Sequence, residues 1–145
     1  MIRRLALALV AVVASCSSER AGWARRGSYW ILDETPDLAV RRGAQVADPA
    51  TGEIALAWVG ARAPETSPPL LACELIVFED RNGNRSPDAG ETVAVRENLH
   101  VTRKILFDDV RAPARSGNAL FARIVARTES GSRVVTWSLV PDAGR

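Results

Sequence analysis

From Ser28 onward the chain is cut into short apolar runs by turn-forming residues, and that punctuation leaves room for strands and little else. The runs cover residues 28–32, 53–59, 71–79, 92–96, 101–107, 119–128 and 133–140. Between them stand Asp48-Pro49-Ala50-Thr51-Gly52, the Pro64 to Pro69 stretch, Asn82-Gly83-Asn84, Ser116-Gly117-Asn118 and Ser130-Gly131-Ser132. Branched and aromatic side chains suit a pleated surface, whereas Gly, Pro, Asn and Asp reverse the chain. In the sixth run Leu120, Ala122, Ile124 and Ala126 share one face, with Arg123 and Arg127 on the other. In the seventh, Val135, Trp137 and Leu139 oppose Val134, Thr136 and Ser138. This period of two marks strands buried on one side, and no helical period persists for twelve residues beyond the N-terminal segment. Seven short strands in about 115 residues predict an all-β fold, an antiparallel β-sandwich of immunoglobulin-like or transthyretin-like architecture. The immunoglobulin Cys–Trp–Cys spacing is absent, so those names describe layers and not ancestry.

The N-terminus carries a different pattern. Arg3 and Arg4 precede an unbroken apolar stretch from Leu5 to Ala14, closed by Ser15 and Cys16. A basic head, a short apolar core and small residues are the parts of a secretory signal. The stretch falls short of the roughly 20 apolar residues that span a bilayer as a helix. Val13-Ala14-Ser15-Cys16 resembles the lipobox of bacterial lipoproteins. That resemblance implies removal of residues 1–15, acylation of Cys16 and anchoring of the mature chain in a membrane, as several acyl chains hold stably where one does not. It places the protein in the cell envelope, at the outer membrane or cell surface. Residues 16–27 then form the lipidated cysteine and a small, polar tether, in which Trp23 is placed to rest at the lipid interface. Residues 28–145 form the folded domain.

Export also changes the charge balance. The chain has 19 Lys and Arg against 17 Asp and Glu, and Arg3 and Arg4 leave with the leader, so the mature chain is neutral. Its basicity therefore argues for no nucleic-acid partner. Some 130 residues suffice for one domain with a core, expected to be monomeric. With Cys16 acylated, Cys73 has no disulfide partner; it alternates with Leu71 and Leu75 and reads as a buried thiol.

One loop carries chemistry. Residues 80–91 read Asp80-Arg81-Asn82-Gly83-Asn84-Arg85-Ser86-Pro87-Asp88-Ala89-Gly90-Glu91. Set on the twelve-residue calcium loop, Asp80, Asn82, Asn84, Asp88 and Glu91 supply side-chain oxygens at positions 1, 3, 5, 9 and 12, and Ser86 supplies the backbone carbonyl at position 7. Calcium wants six to eight oxygens, and alternate residues of a tight turn direct theirs at one centre. The segment resembles the D-x-N-G-N-G-x-x-D-x-G-E loops of β-sandwich modules in secreted bacterial proteins, which join strands and not helices. A structural calcium ion is implied, one that draws three like charges together. Two positions depart from the pattern. Arg85 stands where Gly usually makes a left-handed turn, at a cost of about 1 kcal/mol, and Pro87 has no N–H for the bridge that pairs two EF-hands.

Other chemistries lack their residues. His100 is the only histidine and has no zinc-ligand spacing around it. No G-x-S-x-G elbow accompanies it for a serine triad, and no Gly-rich phosphate loop occurs. Trp58 and Trp137 sit at strand spacing among apolar residues and are expected in the core, with Trp30 partly buried. The sequence thus predicts a non-catalytic, lipid-anchored binding or structural module holding one calcium ion. A carbohydrate- or peptide-binding accessory domain is the second expectation. An envelope enzyme using His100 beside Asp108 or Asp109 is the third.

Overall fold

The computed structural model describes residues 29–113 and 117–142. The leader, Cys16 and the tether lie outside the described residues. Nine strands follow in order: β1 (Trp30–Thr35), β2 (Leu38–Arg42), β3 (Gln45–Ala47), β4 (Ile54–Arg62), β5 (Ala72–Asp80), β6 (Thr92–Asn98), β7 (Lys104–Ala112), β8 (Ala119–Thr128) and β9 (Gly131–Ser138). Every strand pairing is antiparallel. In the first sheet β2 pairs with the second half of β4 and β3 with its first half, while β7 runs along the other edge of β4 and β1 flanks β2. The second sheet has the order β6-β5-β8-β9.

The all-β sandwich expected from the punctuation is therefore present, with nine strands where seven runs were read. The two unread strands are β2 and β3. Leu38-Ala39-Val40-Arg41-Arg42 ends in two cations, which in isolation mark a loop. Yet Arg41 and Arg42 are 2% and 8% exposed. Arg41 reaches Glu34 at 2.6 Å, and Arg42 stacks on the Trp30 ring at 4.4 Å while pairing with Asp142. Burial of a charge is tolerated when it is paired and hydrogen-bonded. The fifth run also shifted: β7 spans Lys104–Ala112, so Asp108 and Asp109, just past the end of the run, lie inside a strand.

The core lies between the sheets. It includes Leu56, Val59 and Ala61 of β4, Leu75 and Val77 of β5, Ile105 and Val110 of β7, and Ile124 of β8. Fully burying an aliphatic side chain of this size contributes about 1.5–3 kcal/mol. Cys73 belongs to the same cluster as a free thiol, and burial pushes its pKa up to about 12.

The first sheet does not alternate throughout. Core residues on β4 are Ile54 and Leu56, then Val59 and Ala61; on β7 they are Ile105 and Phe107, then Val110 and Ala112. Each strand switches its inward face at one level, across Ala57-Trp58 and Asp108-Asp109. The neighbouring β2–β3 segment does the same, with Val40 and then Gln45 turned inward and Gly43-Ala44 at the switch. Register survives, since Arg42 faces Val59 and Gln45 faces Leu56, three residues on in both strands. A crease thus crosses three adjacent strands. Asp109 takes φ 50° there, and Arg96 of β6 donates to the Asp108 and Asp109 carbonyls at 3.1 and 3.3 Å. Trp58 lies outside the inter-sheet cluster and is buried against the bare backbone of Gly43.

Candidate metal centre

The loop between β5 and β6 starts on the solvent-side face of the second sheet. Along β5, Cys73, Leu75 and Val77 point to the core, so Glu74, Ile76, Phe78 and Asp80 point away from it. Asp80 and Glu91 nevertheless are 8% and 4% exposed, because the loop folds around them. Each carboxylate is held by backbone N–H groups. Asp80 Oδ1 accepts from Gly83 N at 3.1 Å and its Oδ2 from Arg85 N at 3.0 Å. Glu91 Oε2 accepts from Arg81 N at 2.9 Å and its Oε1 from Asp88 N at 3.0 Å. The two ends of the loop are also tied by Glu79 N donating to Glu91 O at 2.9 Å.

The remaining side chains gather on Asp88. Its Oδ2 accepts from Asn82 Nδ2 and Asn84 Nδ2, both at 2.7 Å. These two amides, Asn82 first, hold the exposed Asp88 carboxyl below its ordinary pKa. The amide oxygens are engaged as well, Asn82 Oδ1 by Asn84 N at 3.2 Å and Asn84 Oδ1 by Ser86 N at 3.0 Å. Successive Asx turns of this kind wind the chain tightly. All six residues expected to ligate thus belong to one hydrogen-bonded loop. The carboxylates themselves are not drawn together: among the described residues no three His, Cys, Asp or Glu side chains are grouped as around a metal ion. Nor, among the described residues, does a Lys, Arg or His nitrogen form an ion pair with Asp80, Asp88 or Glu91.

Arg85 takes the left-handed turn without being Gly, at φ 57°, beside Gly83 at 76° and Gly90 at 82°. Its side chain has a use that a Gly would lack. The Arg85 guanidinium lies over the Phe121 ring, 5.3 Å from the centroid, and Phe121 stacks on Phe78 with ring centroids 5.8 Å apart. Arg123 donates to the Arg85 carbonyl at 3.2 Å and to Thr136 Oγ1 at 3.1 Å, which pins the loop to the sheet. The metal pattern marked Arg85 only as a departure from Gly and did not point to Phe78, Phe121 or Arg123. A signal existed, however: alternation in the sixth run puts Phe121 on the same face as Arg123 and Arg127, an aromatic ring on the polar side.

The alternatives have less geometry behind them. His100 is exposed, its backbone N–H donating to Asn98 Oδ1 at 2.8 Å. Asp109 holds Arg111 at 3.1 Å. Two clefts of about 170 and 190 Å³ are lined by residues of β1, β2 and the β8–β9 turn, and by neither His100 nor Asp108. Trp58 is 5% exposed, and the half-buried Trp137 donates its indole N–H to Gln45 Oε1 at 2.8 Å. Compared with models of known protein families, with curated proteins and with solved structures, the chain matches none.

Proposed function

We propose that this chain is a lipid-anchored β-sandwich module of the bacterial cell envelope, stabilised by one calcium ion and acting as a binding or structural unit without catalysis. The observation that carries the calcium reading is the state of Asp80 and Glu91. Both carboxylates are almost fully buried, at opposite ends of one loop, with no cationic side chain paired to them among the described residues. Buried charges in proteins are ordinarily paired or coordinate a metal. Backbone N–H groups take only part of their capacity, since two carboxylate oxygens offer about four acceptor sites. Asp80, Asn82, Asn84, Asp88 and Glu91, with the Ser86 carbonyl, would hold the ion. It would supply these carboxylates with the positive charge that Arg81, paired with Glu79, and Arg85, over Phe121, do not bring to them.

The test is a thermal melt of the full chain in detergent, with calcium and with chelator. An ion that binds the folded state alone stabilises it by about 2.7 kcal/mol at a hundredfold excess over its dissociation constant. Calcium is therefore expected to raise Tm and chelator to lower it. Identical melts would overturn the reading. The anchor has its own test: labelled palmitate is expected to enter the chain and to be lost in Cys16→Ser, together with membrane association.

A further inference from the structure

We propose that the calcium loop is a metal-set cover for an aromatic pair on the outer face of the second sheet. This rests on the calcium reading and adds a consequence to it. Phe78 and Phe121 lie opposite each other on β5 and β8, and neither belongs to the core cluster between the sheets. Their flanking neighbours Val77 and Ala122 do, so the two rings point toward the side where solvent would stand. Yet Phe78 is 0% and Phe121 7% exposed. A sheet face open to water does not hide two phenyl rings by itself.

The loop covers Phe121, and Phe121 in turn stacks on Phe78. It leaves the sheet two residues after Phe78 and returns over the same face, with Arg85 on the Phe121 ring and the Arg85 carbonyl tied to Arg123. Arg85 is placed there by its own backbone, whose N–H donates to Asp80 Oδ2 and whose φ is 57°. Asp80 is therefore both an expected calcium ligand and the group that sets Arg85 over the aromatics. Losing the cation leaves buried like charges at Asp80 and Glu91 to be rehydrated, which requires the loop to open. Opening lifts Arg85 and uncovers Phe78 and Phe121. The strain of Arg at a left-handed position is offset by the cation–π contact with Phe121. The cover accounts for a residue that a calcium loop alone does not explain.

The experiment is hydroxyl-radical footprinting of the full chain, reading oxidation at Phe78 and Phe121 by mass spectrometry, with calcium titration calorimetry on the same samples. In calcium both rings are expected to be protected, and chelator is expected to raise their oxidation several-fold while Phe107, between the sheets, stays protected. In Arg85→Gly the backbone strain is relieved, so calcium is expected to bind at least as well while Phe121 is oxidised even with the ion present. Calcium uptake with equal Phe121 protection in chelator, or full protection in Arg85→Gly, would overturn the cover and leave the calcium reading standing. Absence of calcium uptake by the unmutated chain would overturn both.

Discussion

Arg42 forks onto Asp142 across a hundred residues of sequence, with Nη2–Oδ1 at 3.0 Å and Nη1–Oδ2 at 3.3 Å. The same Asp142 carboxylate accepts from Gln45 N at 2.7 Å, and Asp142 N donates to Gln45 O at 2.8 Å. Gln45 in turn donates to the Val140 carbonyl at 2.7 Å and receives the Trp137 indole. The end of the described chain is thus fastened to the β2–β3 segment by buried polar groups. Asp142→Ala strands a guanidinium whose side chain is only 10% exposed. A loss of about 3 kcal/mol is expected, at the low end for breaking a buried pair because Asp142 is partly open to water. The urea midpoint measures it, and a change under 1 kcal/mol would show the fastening to be idle.

Gly43 is needed for space. A Cβ there would stand 2.3 Å from Trp58 Nε1 and 2.6 Å from Cδ1. Gly43→Ala must push the indole off the strand at the crease, and overpacking of this kind costs about 1–3 kcal/mol. Near-UV circular dichroism is expected to change with stability. A variant as stable as the parent, with an unchanged tryptophan band, would contradict the packing.

Glu91 ties both ends of the 80–91 loop through the N–H groups of Arg81 and Asp88. Glu91→Ala leaves both donors without their acceptor, and about 1–3 kcal/mol is expected to be lost even in chelator. The calcium-dependent rise in Tm is expected to vanish with it. A variant that keeps the full rise would remove Glu91 from the ligand set.

Acid should expose two carboxylates. Asp33 is held below its ordinary pKa of 3.8 mainly by the Arg133 hydrogen bond, and Asp88 by Asn82 and Asn84. A depressed folded-state value means that the unfolded chain binds protons first. Their contribution is therefore complete above the ordinary carboxylate value and is lost as pH falls through the lower folded one. Between about pH 5 and pH 2 the parent is expected to lose stability more steeply than Asp33→Asn or Asp88→Asn. Asp88 is exposed and Asp33 only half-buried, so the difference should be small. Parallel acid limbs in all three would refute it.

Cys73 provides an unfolding clock. Its thiol is buried at 1% exposure with a pKa of about 12, so the nucleophilic thiolate is scarce and shielded at neutral pH. In Cys16→Ser, labelling with a thiol reagent is expected to be slow in buffer and to reach one equivalent in denaturant. Fast native labelling would mean that the sheet opens locally around β5.

The strand-rich fold was legible because turn residues and two-fold alternation are local properties. They gave β1, β4, β5, β6, β8 and β9 to within a few residues, and they set the loop at residues 80–91 between two strands. What escaped was non-local. Arg41 and Arg42 fell outside the apolar runs because their partners Glu34, Trp30 and Asp142 are brought to them only by folding. The fifth run stopped short of Asp108 and Asp109 because alternation assumes a strand that keeps its faces, and the crease reverses them. The loop divides along the same line. Its oxygen-bearing residues and their spacing were written in the chain, and so was the awkward Arg85. That Arg85 would lie across Phe121, on a face where two phenyl rings need cover, was decided by the pairing of β5 with β8. Sequence determined which residues turn and which alternate; the register of strands far apart in the chain decided which charges, rings and carbonyls meet.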